Sequence, residues 1–176
     1  MNSSILPYFA QLKSVSWCEN GTELALNTQQ MSWLQEPNSL TKRLKGYCQA
    51  LTVEVVENRW VDISELSQQE VDVLGQYSRY LLREVVIFGD DEPWVLGQSL
   101  VAEPLVASEA SPLANLGDTP LGDRVFRSPS AKRDYLRFGQ VENFYARSSR
   151  LWLDNLPVLV SELFLSGSPI YQEEKQ

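Results

Sequence analysis

Tyr80–Phe88 reads YLLREVVIF, an apolar stretch of strand length with an arginine and a glutamate side by side at its centre. Side chains alternate along a strand. Arg83 therefore shares a face with Leu81, Val85 and Ile87, and Glu84 shares the other with Tyr80, Leu82 and Val86. Neither row reads as solvated, so the segment is expected to lie inside a sheet with one charge pointing into an apolar interior. GDDE follows at Gly89–Glu92 and suits a tight hairpin turn, after which PWVLGQSLVA (Pro93–Ala102) returns as the partner strand.

Working outward, LTVEVVENRW (Leu51–Trp60) precedes the hairpin as a further strand. RDYLRFGQVE, RSSRLWLDN and LPVLVSELFL follow it as three more, separated by short loops. Helical signals fall in two places. NTQQMSWLQE has Asn27 or Thr28 as its N-cap and ends at Pro37. NSLTKRLKGY has Asn38 or Ser39 as its cap, with Leu40 and Leu44 on one face. A second pair is expected from SPLANLG, ending at Gly117, and DTPLGDRVF, with Asp118 or Thr119 as cap and Pro120 at the first helical position. The fold class is therefore α+β: a single antiparallel sheet of about six strands, one face covered by two short helical hairpins. The 176 residues favour one domain over 1–176, with the polar tail 172–176 frayed.

Composition narrows the function. The net charge is −8, which disfavours nucleic acid and anionic membrane as partners. Apolar runs fall far short of the roughly 20 residues that span a bilayer, and the N-terminus lacks a secretory signal pattern, so a cytoplasmic protein is expected. Cys18 and Cys48 read as reduced thiols. With no histidine in the chain, Ser-His-Asp and Cys-His chemistry and His-ligated zinc are all excluded. Two cysteines without histidine also make a poor metal site. LGDTPLG lacks the context of a phosphate loop.

Glu162 repeats the anomaly of Arg83, since it shares an apolar row with Val158, Val160 and Phe164. A buried ion is costly unless paired. Three readings stand at this point: a structural Arg83–Glu162 salt bridge, a cavity in which the two hold a ligand, or an Arg83 at a sheet edge reaching for water. Basic residues gather late, at Arg124, Arg127, Lys132, Arg133, Arg137, Arg147 and Arg150. They form either surface pairs with Asp123, Asp134 and Glu142 or a local field for a small polyanion. Trp94 and Trp152 read as packing residues. Gly97 inside a strand suggests a bulge or a close approach.

In chain order SLTKRL, SRYLLREVVIF, EPWVLG, LGDTPLG, RSSRLWL and LVSELFLSGSPIY make the sequence resemble the chorismate pyruvate-lyase (4-hydroxybenzoate synthase) family from about Leu12 to Tyr171. The resemblance implies a six-stranded sheet with an internal ligand cavity beneath helical flaps. It also implies cofactor-free conversion of chorismate to 4-hydroxybenzoate and pyruvate, toward ubiquinone, in a monomer with product inhibition. By the same resemblance Arg83 holds the ring carboxylate, Glu162 sits at the 4-hydroxyl end as the other catalytic group, and Leu40 and Leu121 belong to the binding walls. Leu40 replaces a methionine, a volume-conserving swap. Gln98 stands where the family often has a base, which leaves Arg147 or Arg150 for a second carboxylate, and Ser148 thins the basic run. The alternatives are a non-catalytic small-acid-sensing domain like those of bacterial transcription regulators, and a carrier of apolar acids.

Overall fold

The charge-bearing strand is the second of six in the computed structural model, which describes residues 4–107, 113 and 115–173. The strands are β1 (Leu51–Asp62), β2 (Arg79–Gly89), β3 (Glu92–Ala102), β4 (Lys132–Val141), β5 (Phe144–Leu153) and β6 (Leu156–Phe164). They form one sheet in the order β1-β2-β3-β6-β5-β4, with every neighbouring pair antiparallel. All six expected strands are present. β1 runs on to Asp62 rather than Trp60, and β5 starts at Phe144 rather than Arg147. The sheet is thus two three-stranded meanders, joined where β3 pairs with β6.

Turn chemistry fixes the registers. Asp90 and Asp91 have φ of 48° and 64°, and Asp154 and Asn155 have 51° and 61°. Two consecutive left-handed residues make the hairpin turn whose twist matches the strands, and Asp and Asn adopt that conformation most readily after glycine. The Asp90 carboxylate also accepts from the backbone N–H of Gln49 and Ala50, at 2.9 and 2.8 Å, and so ties the turn to the start of β1.

Helices lie on both faces, where the sequence suggested one. They are α1 (Leu6–Lys13), α2 (Thr28–Leu34), α3 (Leu40–Lys45), α4 (Gln68–Leu74) and α5 (Leu121–Val125). The face of Leu82, Val86, Leu96, Leu100 and Leu163 is covered by Phe9 and Leu12 of α1 and by Val73 and Leu74 of α4. Neither helix stands out in the sequence, because each is only about two turns long, too short to show a helical period. The Ser67–Glu70 capping box at the start of α4 was a usable signal.

The other face carries Arg83, Val85, Gly97, Ser99, Glu162 and Arg147. Two hydrophobic clusters roof it, one at each end. Trp33 and Leu34 of α2 and Leu40 and Leu44 of α3 pack on Ile87, Val95 and Phe164. Leu121 and Val125 of α5 pack on Val101, Leu151 and Val158. The α2–α3 hairpin is as expected. Asn27 and Gln30 cap α2 reciprocally, and the Ser39 hydroxyl caps α3. The second hairpin is corrected: α5 begins at Leu121 after an extended Pro120, and neither Asp118 nor Thr119 caps it. Its first half falls partly on residues 111, 112 and 114, outside the described residues. Gly117, φ 54°, and the Thr119 N–H to Leu116 bond form a turn instead of a helix end. The tail residues 174–176, expected to fray, also lie outside the described residues.

Candidate active site

Between the two roof clusters, two rungs of the sheet are left without apolar cover. One rung runs Arg83, Ser99, Val160, Ser149 across β2, β3, β6 and β5, and the next runs Val85, Gly97, Glu162, Arg147. A pocket opens above them, with an empty volume of about 620 Å³ counting its mouth. All four residues singled out from the sequence line it: Arg83 and Glu162 from the strands, Leu40 from the first turn of α3 and Leu121 from the first turn of α5. Gly97 forms bare floor between Val85 and Glu162. The β2–β3 register shift lies at Ile87/Phe88 rather than at Gly97, and a Cβ at Gly97 would sit 3.1 Å from Val85 Cγ2. The close-approach reading of this glycine therefore holds over the bulge reading.

Arg83 is 4% exposed and, among the described residues, makes no ion pair. Its Nη2 donates to the carbonyl oxygens of Gly117 at 2.7 Å and Thr119 at 3.2 Å, in the loop that leads into α5. Burial pushes its pKa below the usual guanidinium value, opposed by the negative charge of nearby Asp118. Carbonyl dipoles steady the guanidinium without neutralising it. This overturns a structural Arg83–Glu162 bridge and equally an Arg83 at a sheet edge.

The partner of Glu162 is Arg147, which is fully buried: Nε donates to Oε2 at 2.5 Å and Nη2 to Oε1 at 3.3 Å. Arg147 Nη1 also reaches the Glu36 carbonyl at 3.1 Å, so the pair props the link between α2 and α3. The sequence held a usable signal for it. With Asp154–Asn155 as a two-residue turn, counting outward along the hairpin pairs Arg147 with Glu162. Glu84, on the opposite face, accepts from Gln98 Nε2 at 2.8 Å, which accounts for the second charge of the opening stretch.

Arg150 is excluded from the pocket. It lies on the α4 side, where it grips Asp134 at 2.8 and 2.9 Å and the Val73 carbonyl at 2.8 Å. Of the surface pairs foreseen, that one forms. Asp123 instead accepts from Ser39 Oγ at 3.0 Å and from Lys45 Nζ at 3.2 Å, joining α5 to α3 across the pocket mouth. Arg133, from β4, is a pocket residue that the sequence did not single out. It bonds Ser149 Oγ and the Asn38 carbonyl, lies over the Phe126 ring, and has a buried Nε without a protein partner. Burial first, then the like charge of Arg147, pushes its pKa down to about 10. The β4 bulge between Asp134 and Arg137, with Tyr135 at φ 49°, breaks the alternation that would have pointed to it.

Chemically, the site offers a guanidinium without an ion pair among the described residues on one wall, an anchored carboxylate on another, and apolar faces from Leu40, Leu121, Val85 and Val160 between them. That suits a flat molecule with an acid at one end and a hydroxyl at the other.

No helix among the described residues is long and apolar enough to cross a membrane. In fold, the chain is similar to a gene product of Staphylococcus aureus subsp. aureus N315, with TM-score 0.52 and 12% identity over 78% of this chain and 95% of that one. It is also similar to a possible transcriptional regulator of Bacillus subtilis, with TM-score 0.50 and 10% identity over 72% of this chain and 63% of that one. Both likenesses concern the fold alone. Sequence similarity is much closer elsewhere. A protein of Vibrio parahaemolyticus named "probable chorismate pyruvate-lyase" is 42% identical over 179 residues, covering 99% of each chain. The "chorismate pyruvate-lyase" of Pectobacterium carotovorum is 38% identical over 160 residues, covering 91% of this chain and 89% of its own. The family described as chorismate lyase matches residues 11–176. With that match running to the last residue and relatives covered nearly end to end, the chain belongs to the chorismate lyase family.

Proposed function

We propose that the protein is a chorismate pyruvate-lyase, which eliminates the enolpyruvyl group of chorismate to give 4-hydroxybenzoate and pyruvate. The observation that carries the reading is Arg83, a buried cation on the pocket wall with carbonyl partners and no ion pair among the described residues. Chorismate has a carboxylate on its ring, and a guanidinium can hold it through two parallel hydrogen bonds. Glu162, fixed by Arg147, accepts from the 4-hydroxyl and orients the ring against Leu40 and Leu121.

In the reaction the C4–H and C3–O bonds break. The C4 proton leaves, its electron pair completes the aromatic ring, and the ether oxygen departs with the three-carbon unit, which becomes pyruvate. Aromatisation drives the step, so the residues need to supply only position and electrostatics. Glu162 is one acceptor for the C4 proton and the departing enolpyruvyl methylene is the other. Both keep the same ring placement.

The reading includes a cytoplasmic monomer whose 4-hydroxybenzoate goes toward ubiquinone. The free thiols at Cys18 and Cys48 suit a reducing compartment. The test is to incubate the pure protein with chorismate and follow both products, 4-hydroxybenzoate by absorbance and pyruvate by a coupled dehydrogenase. Equimolar release supports the lyase. Tight 4-hydroxybenzoate binding without turnover would favour an acid-sensing domain instead.

A further inference from the structure

The pocket has a second cationic station that the ring carboxylate does not use. Arg83 enters from β2 and Arg133 from β4, at opposite ends of the β2-β3-β6-β5-β4 run, yet both line the same pocket. Near Arg133 stand a further guanidinium, Arg147, and two carboxylates, Glu162 and Glu36. Each carboxylate already has its cation: Glu162 holds Arg147, and Glu36 holds Arg43 at 3.3 Å. Arg133 is left over, so this end of the pocket carries one positive charge in excess. Its direct contacts are neutral, namely a serine hydroxyl, a backbone carbonyl and the Phe126 ring, and its Nε–H has no partner among the described residues. Five donors on one guanidinium, only two of them engaged, leave capacity for an incoming anion.

Resting on the lyase reading above, we propose that Arg133 holds the enolpyruvyl carboxylate of chorismate. The two carboxylates of chorismate then meet two separate guanidiniums, and 4-hydroxybenzoate, which has lost the second carboxylate, meets only Arg83. Arg133 is on this account the residue that distinguishes substrate from product. Arg147 cannot take the role, because its Nε and one terminal nitrogen are spent on Glu162. Arg150 cannot, because it lies on the other face of the sheet.

The experiment compares both ligands on Arg133→Gln and Arg133→Lys. Arg133→Gln should lower kcat/KM for chorismate by roughly 30-fold or more, as expected for truncating one partner of a buried charged contact. The Kd for 4-hydroxybenzoate should stay within about twofold, and Arg133→Lys should recover part of the loss. A structural prop for Ser149 and Asn38 would weaken both ligands alike, and that outcome overturns the assignment, as does unchanged kcat/KM. The wild-type protein gives an independent reading should the variants fail to fold. A benzoate bearing an enolpyruvyl ether at its 3-position should bind at least tenfold tighter than the same molecule with that side-chain acid methylated, and equal affinities overturn the proposal. Turnover of chorismate by the wild-type protein separates the two levels. If it is absent, the lyase reading falls and takes the assignment with it. If it is present, equal effects on both ligands defeat the role of Arg133 alone.

Discussion

On the proposed reading, ligand binding turns on Arg83. Arg83→Ala should weaken 4-hydroxybenzoate binding by about 2–5 kcal/mol, the usual loss when one partner of a buried charge contact is truncated. Titration calorimetry measures this directly, and near-normal affinity would remove Arg83 from the site. Glu162 has a structural duty toward Arg147 and, on the proposed reading, a catalytic one, and they can be separated. As the only carboxylate paired with buried Arg147 among the described residues, it should cost about 3–5 kcal/mol of stability when changed to Gln, because a guanidinium is then stranded in the interior. Urea unfolding measures that cost. Turnover by the folded fraction measures the other duty, and a Glu162→Gln protein with unchanged turnover rules the carboxylate out as proton acceptor. Both residues were legible because charges in apolar strand rows need an explanation. Of their partners only that of Glu162 left a signal, because pairing depends on register. The β5–β6 register followed from Asp154–Asn155, while the carbonyls that hold Arg83 come from a loop without periodicity.

At the scale of elements, α3 and α5 are the moving parts that the pocket suggests. Each contributes the apolar residue of its first turn, Leu40 or Leu121, and Asp123 clasps them through Ser39 and Lys45. The Lys45–Asp123 pair is half-exposed, and such pairs contribute about 0.2–1 kcal/mol. If product leaves only when this clasp opens, rapid mixing of enzyme with excess chorismate should give a burst of one product per enzyme before the steady state. Asp123→Ala should speed that steady state by roughly twofold to fivefold and flatten the burst. A linear time course in the unmodified protein would place the slow step in the chemistry. The six strands were readable from β-branched and apolar runs, with ends missed by up to three residues, as at the start of β5. The helices were less so: α1 and α4 gain their stability from burial against the sheet, which a segment of seven or eight residues is too short to advertise by its periodicity.

Across the whole molecule, charge pairs set the pH range of stability. Side-chain hydrogen bonds from Arg150 hold the Asp134 carboxyl below its ordinary value, and the Asp62 N–H and Arg59 do the same for Glu65. A carboxyl whose folded pKa is depressed stabilises the fold above its unfolded pKa, and loses that contribution as pH falls through the folded value. Tyr171 runs the other way. Burial raises its pKa, while its hydroxyl donates to the Phe164 carbonyl and accepts from the Tyr145 N–H, both at 2.8 Å. Its contribution is full below the ordinary tyrosine pKa and is lost as pH rises above it. Urea midpoints should therefore be flat between roughly pH 5 and 9 and fall on either side. Asp134→Asn should blunt the acid limb and Tyr171→Phe the alkaline one, and limbs unchanged by these substitutions would assign the pH dependence to other groups.

The docking of the two meanders has one more consequence. Gln98 and Ser161 face each other where β3 meets β6. One residue further along each strand, Ser99 stands beside Arg83 and Glu162 beside Arg147. A half-turn about the Gln98/Ser161 pair carries each strand of one meander onto its counterpart and lays Arg83 over Arg147. The frame is a near-palindrome with one arginine in each half, and the halves differ by what grows on the inner strand. Where that residue is a glutamate, the arginine is silenced by its own chain. Where it is a serine, the arginine keeps its charge and must find an acid elsewhere. Ser99→Glu would complete the mirror, and calorimetry on the folded variant should then find 4-hydroxybenzoate binding abolished.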